Sequence, residues 1–131
     1  MIGADGVKNS SRLDAAYNDT VGLTAAFNLN LLARVQRELG ADLDRGAFEH
    51  LSFFNPDQER IEMHLLAAQG AQITIEDQVF YLEPGETIHT ENSWKFNPKR
   101  LESLAISAHL NLEHVWRSES HTFYLALMQV S

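Results

Sequence analysis

The hydrophobic period of this chain changes once along its length, and that change restricts it to a fold mixing helices with strands. Between Leu23 and Leu39 the apolar residues Leu23, Phe27, Leu31, Leu32, Val35 and Leu39 recur mostly at steps of three and four. Such spacing lays an apolar stripe along one face of a helix. Arg34, Gln36, Arg37 and Glu38 fall mostly off the stripe. Gly40 stands where a left-handed C-terminal cap is expected, and Arg34 and Arg37 suit the negative end of the helix dipole. A short helical turn is expected around Asp44 to Phe48, and after it the period falls to two. His50 to Phe54 reads as a strand, Asn55-Pro56-Asp57 as a turn, and Arg60 to Leu66 as a second strand in which Ile61, Met63 and Leu65 alternate with Glu62 and His64. Gln72 to Ile75 and Gln78 to Leu82 read as a hairpin around Glu76-Asp77, and Thr87 to Ser93 as a further strand. The middle of the chain is therefore expected to be an antiparallel meander.

The flanks follow the same rules. Met1 to Val7 reads as a short strand. Ser10 or Ser11 can cap a helix running through Asp14, Ala15, Ala16 and Tyr17. Asn97-Pro98 is a capping residue followed by proline at the first helical position, and Leu101, Leu104, Ala105 and Ala108 would form the buried stripe of that helix. Asn111 to Trp116 and Thr122 to Val130 read as two closing strands. No repeat, low-complexity tract or Pro/Gly-rich linker divides residues 1–131. The expectation is one α+β domain, with enough chain to bury a core.

Composition removes several classes of function. A formal charge of −8, with ten scattered Lys and Arg, opposes nucleic-acid binding, which needs clustered cations. The absence of cysteine removes disulfides, thiolate metal sites and cysteine nucleophiles. No apolar run approaches the roughly 18 residues of a membrane span. The first residues lack the basic-then-apolar order of a signal peptide. A cytoplasmic protein is the simplest reading.

The chemistry concentrates in Thr90-Glu91-Asn92-Ser93. In an extended segment Glu91 and Ser93 point to the same side, so a carboxylate and a hydroxyl face one ligand together. Among the six histidines, His64 and His89 lie on different expected strands that could approach each other, with Glu62 or Glu91 nearby, and His109 and His114 are five apart. None has the helical i, i+4 spacing or the H-E-x-x-H pattern of a zinc site, so no metal is expected from spacing. Ser93, His89 and Asp77 could be drawn as a triad, but no G-x-S-x-G surrounds the serine.

Six runs carry a resemblance: Ile2-Gly3-Ala4-Asp5, Ala16-Tyr17-Asn18-Asp19, Thr24-Ala25-Ala26-Phe27-Asn28-Leu29-Asn30, Phe48-Glu49-His50, Arg60-Ile61-Glu62-Met63-His64-Leu65 and Thr90-Glu91-Asn92-Ser93. In this order and at this spacing, from Ile2 to about Val130, they resemble the histidine-specific, S-adenosylmethionine-dependent methyltransferases. Members of that family methylate the α-amino group of histidine on the way to ergothioneine. The resemblance implies a second, amino-acid-gripping lobe (residues 8–95) together with the last strands of a truncated Rossmann-type sheet (residues 1–7 and 96–131). Met1 to Val7 would be a late strand of that sheet, and the final strand would run antiparallel. The chain starts about where the family's donor half ends, so S-adenosylmethionine is expected in the full-length family and not on this chain alone.

The resemblance also implies roles. Tyr17 would hold the substrate carboxylate, Thr24 would line the pocket, Met63 would lie beside the imidazole, and Glu91 and Ser93 would hydrogen-bond its nitrogens. Each has a plainer reading: Tyr17 can cap the core, and Thr24 and Met63 read first as packing residues. No catalytic side chain is expected, because methyl transfer is an in-line displacement that needs orientation and no covalent enzyme intermediate. The glycines fall in no G-x-G pattern, and Gly3-Ala4-Asp5-Gly6 is a lone mimic of a donor loop. The expected partners are a small amino acid such as histidine and either the missing N-terminal half or a second copy. The alternative is a non-catalytic ligand-binding or dimerising module, because an open strand edge at Ile2 to Gly6 invites pairing.

Overall fold

The computed structural model describes residues 1–7, 22–120 and 122–130. The chain forms β1 (Ile2–Asp5), α1 (Leu23–Leu39), β2 (Asp42–Leu43), a 3-10 turn (Arg45–Ala47), β3 (Glu49–Asn55), β4 (Arg60–Ala67), β5 (Ala71–Ile75), β6 (Gln78–Leu82), β7 (Glu86–Trp94), α2 (Pro98–Ser107), β8 (Leu110–Arg117) and β9 (Phe123–Val130). This is the expected α+β architecture. The helix expected through Asp14 to Tyr17 lies outside the described residues. No helix among those residues is long and apolar enough to cross a membrane.

Local sequence sets the helix ends. Gly40 closes α1 in the left-handed region at φ 62, a conformation that costs glycine little and other residues more. Asn97 caps α2 by accepting from Arg100 N at 2.9 Å, and Pro98 opens the helix. Asp44 caps the 3-10 turn by accepting from Gly46 N at 2.8 Å.

Two hydrophobic cores result. The first packs Leu32 of α1 against Leu43, Phe48, Leu65, Ala67 and Ile73. The meander divides around it. The β5–β6 hairpin leaves β4 to pair with the short β2, and β7 returns to pair with β4, giving sheets ordered β2-β5-β6 and β3-β4-β7. The α1 stripe also differs from its spacing. Asn28 and Leu32 are buried, with Leu29 and Val35 against the core, while Leu23 and Phe27 are about 70% exposed. Phe27 instead stands beside β7, lining an open cavity with Thr90 and Glu91.

The second core joins Ala4, Leu101, Tyr124 and Ala126. Here β9 lies between β1 and β8 and runs antiparallel to both; the antiparallel direction of the final strand was expected, its central place was not. Helix α2 covers one face of this sheet through Leu101 and Ala105, whereas Leu104 and Ala108, expected in the buried stripe, are exposed. Trp116, Phe123 and Leu127 remain exposed on β8 and β9. Backbone just ahead of β9 crowds Gly6, whereas at Gly3 only the tip of the exposed Phe123 ring stands close. A Cβ would come within 2.9 Å of the Phe123 ring at Gly3 and within 3.0 Å of Thr122 O at Gly6.

The two cores meet at Lys95. Its side chain is fully buried, and its Nζ donates to Asp5 Oδ2 of β1 at 3.1 Å and to Ser93 Oγ of β7 at 2.9 Å. Phe96 N donates to Asp5 O at 2.8 Å, closing the seam.

Leu101 is fully buried at the centre of the second core. Leu101→Ala is expected to cost about 2–5 kcal/mol of unfolding free energy, read from urea denaturation, and a change under about 1 kcal/mol would show that this core does not support the fold.

Candidate functional site

The β4–β7 pairing contains one irregularity, and it organises the site. Met63 pairs with Glu91, but His64 pairs with His89, so Thr90 is an extra residue on β7. The bulge resets the alternation. Glu91 and Ser93 share the face of Met63 and Ile61, which looks toward α1, while His89 joins His64 and Glu62 on the reverse face.

On the α1 face the centre is Asn28, a buried amide in the middle of a helix. Its Nδ2 donates to His64 O at 2.9 Å and lies 3.0 Å from His50 Nδ1. The Thr90 hydroxyl lies 2.7 Å from Asn28 Oδ1 and 2.9 Å from Met63 O, so its single proton serves one or the other. One side chain thus ties α1 to β3, β4 and the bulge of β7. Asparagine is a poor residue for a helix interior, and the bonds it makes here account for its presence. Beside it, Phe27, Asn28, Asn30, Leu31, Arg34, Thr90 and Glu91 surround a cavity of about 140 Å³. Glu91 is exposed at its rim and Ser93 is half-buried further along the strand.

The reverse face is a polar network. Glu62 is buried, with Oε1 accepting from Arg60 Nη2 at 2.7 Å and from Asn55 Nδ2 at 3.0 Å, and with Oε2 3.2 Å from His64 Nε2. His64 Nδ1 lies 3.0 Å from the Thr87 hydroxyl. Its ring stacks on Phe53 at 5.3 Å and on His89 at 4.4 Å. Arg60 and Arg100 both lie against Trp94, 4.7 and 4.6 Å from the ring centre. The strand alternation predicted Glu62 and His64 on an outer face; both are nonetheless buried, because these neighbours cover them. The Arg60 guanidinium, with help from His64 and Asn55, holds the Glu62 carboxyl down at about 2 against the opposing effect of burial.

A family model described as histidine-specific methyltransferase, SAM-dependent, matches residues 1–130. The chain belongs to this family. It is similar to the histidine N-alpha-methyltransferase of Mycolicibacterium smegmatis, with 43% identity over 97% of this chain and 40% of that protein. The corresponding Mycobacterium tuberculosis protein is 40% identical over the same shares. The N-methyltransferase imqF of Aspergillus flavus is 24% identical over 99% of this chain and 36% of its own length. The chain therefore spans about two fifths of the length of the curated relatives it matches.

Of the five positions that the family resemblance singled out, the structure brings three together. Met63 is buried and is the cross-strand partner of Glu91, and Ser93 follows on the same face. Thr24 is half-buried on the first turn of α1, one turn before Asn28, and is not among the residues lining the cavity. Tyr17 lies outside the described residues. Asn28, Phe27 and Lys95 were not anticipated as site residues. The signal for Asn28 was a polar residue inside an apolar helical arc. For Lys95 it was a cation at the same strand parity as Glu91 and Ser93.

Glu62 gives this network a defined pH dependence. Its folded-state pKa lies below its ordinary 4.5, so its stabilisation is complete above that value and is lost as pH falls toward about 2. Glu62→Gln is expected to remove up to about 3 kcal/mol at neutral pH and far less near pH 2. Urea denaturation of both proteins across that range checks this, and a gap between them that does not narrow on acidification would exclude the assignment.

Proposed function

We propose that this chain supplies the amino-acid pocket of a histidine-specific, S-adenosylmethionine-dependent N-methyltransferase and has little activity alone. The observation that carries this reading is that Glu91 and Ser93 project from one face of β7, with Glu91 at the rim of a small cavity, in a chain of that family. A carboxylate accepts from an imidazole N–H, and a hydroxyl can donate or accept at the other nitrogen, so the pair fixes both the identity and the rotation of the ring. Met63 would pack beside that ring, and Thr24 and Tyr17 would complete the grip. Fixing the ring fixes the α-amine, and orientation is what an in-line methyl transfer requires.

S-adenosylmethionine would supply the methyl group, yet the described residues do not fit it. The Gly3-Ala4-Asp5-Gly6 run is the extended end of β1, paired with β9 and packed against Phe123 and Thr122, and offers no glycine turn to cradle a ribose. We assign donor binding to the part of the relatives' length that this chain does not span. Titration of the purified chain with histidine and, separately, with S-adenosylmethionine tests the assignment. Histidine binding weakened about tenfold in Glu91→Ala supports it, since a charged hydrogen bond is worth roughly 1.5 kcal/mol or more. Tight donor binding with methyl transfer by the chain alone would overturn it.

A second reading, a non-catalytic module that dimerises, is favoured by the three-stranded sheet. β1 and β8 are its edges, and Trp116, Phe123 and Leu127 are exposed. Either a donor-binding lobe or a second copy would cover such a surface. Without that lobe, we expect concentration-dependent dimers in analytical ultracentrifugation. A clean monomer at millimolar concentration would count against self-association.

A further inference from the structure

We propose that Glu62, His64 and His89 form a binding site for one divalent transition-metal ion of the zinc type, on the face of the β4–β7 pair opposite Glu91. The proposal goes beyond methyl transfer and does not depend on it. The three side chains each offer one donor atom, and these atoms all lie within 4.8 Å of one another. Ion–ligand distances near 2.0–2.2 Å require donors roughly 3.3 Å apart, and Glu62 Oε2 and His64 Nε2 already stand at 3.2 Å.

What surrounds the three residues argues for more than proximity. Glu62 has Oε1 occupied by Arg60 and Asn55, which leaves Oε2 turned to the cluster. His64 has Nδ1 against the Thr87 hydroxyl, which leaves Nε2 turned the same way. Outer partners that fix the far atom of a ligand and aim the near one are the usual support of a metal site. The contact between His64 Nε2 and Glu62 Oε2 spans the place the ion would take, so uptake of the ion replaces that contact with two metal bonds.

His89 completes the set and gives access, because it is exposed. Its ring is nearly parallel to that of His64, at 12°, so it must turn about its side-chain torsions to aim a nitrogen at the same ion. Its Nε2 contact with Asn92 Oδ1 at 2.8 Å is an exposed hydrogen bond that such a turn exchanges for a metal bond. Two imidazoles and one carboxylate favour zinc, nickel or copper over magnesium or calcium, which prefer all-oxygen shells. The nearby Arg60 charge opposes any dication and sharpens that preference. An ion here would clamp β4 to β7 directly behind the bulge that presents Glu91.

The test uses the full chain, stripped of metal with a chelator and titrated with zinc chloride by calorimetry. The expected result is one ion per chain, with the His64 and His89 ring resonances shifting together in NMR spectra. His89→Ala, at an exposed position that does not threaten the fold, is expected to weaken binding at least tenfold, and Glu62→Gln similarly. His114→Ala is expected to leave binding unchanged, and magnesium is expected not to compete. Absence of uptake at about 100 µM zinc, uptake unaffected by His89→Ala, or uptake lost in His114→Ala would each overturn the site.

Discussion

A single buried ammonium holds this molecule together. Lys95 has no exposed surface, and a charge so placed is tolerated only when its hydrogens are bonded and a counter-charge is near. Asp5 supplies the counter-charge from β1 and Ser93 an oxygen from β7, so one group bridges the strand of one core and the strand of the other. Removing the ammonium would break the Asp5 and Ser93 bonds together and open the seam. The consequence reaches the site. Ser93 is anchored at its oxygen by a group that can only donate, so its own proton must point away from Lys95. The fold thereby constrains how the hydroxyl is presented next to Glu91.

The bulge at Thr90 is the second constraint, and it shows how one strand pair carries two chemistries. With strict alternation, His89, Glu91 and Ser93 would share a face, and a histidine would crowd the carboxylate. The extra residue sends His89 to the reverse face, where it stacks on His64, and leaves Glu91 and Ser93 facing α1. Thr90 stabilises the irregularity by donating its hydroxyl proton to Asn28 Oδ1 or to Met63 O. The β7 backbone is therefore held from the α1 side by an amide knot and on the reverse face by a stack of rings.

Much of this was legible in the sequence. The bounds of α1, its glycine cap, the Asn97-Pro98 start of α2 and every strand from β3 to β9 follow from periodicity and turn residues, because those signals are local. Three things were not legible, and each is tertiary. The division of the meander into two sheets depends on β2, only two residues long, capturing the β5–β6 hairpin. The burial of Asn28 in place of Phe27 depends on which arc of a broad apolar helix meets the sheet. The company of His89 depends on the bulge. Parity along β7 places it with Glu91, whereas the register places it with Glu62. Local pattern put Glu91 and Ser93 on one face, as the register does, because both residues lie on the same side of the bulge.

The exposure of Glu91 bears on how far this part of the fold can act unaided. At about 4 Å, a pair of unit charges is worth roughly 1 kcal/mol in water but about 4 kcal/mol at the effective dielectric of a protein surface site. Glu91 stands at the rim of a small, open cavity beside an exposed Phe27 and a guanidinium, that of Arg34, committed to Glu38. In that setting the carboxylate orients a cationic or polar ring and gains only the low end of what a charged hydrogen bond is worth, roughly 1.5 kcal/mol. A lobe that covered Phe27 and Leu31 would exclude water from the same carboxylate and multiply its worth without moving a single atom of β7. The selectivity of the site would then reside in these residues, and its strength in whatever closes over them.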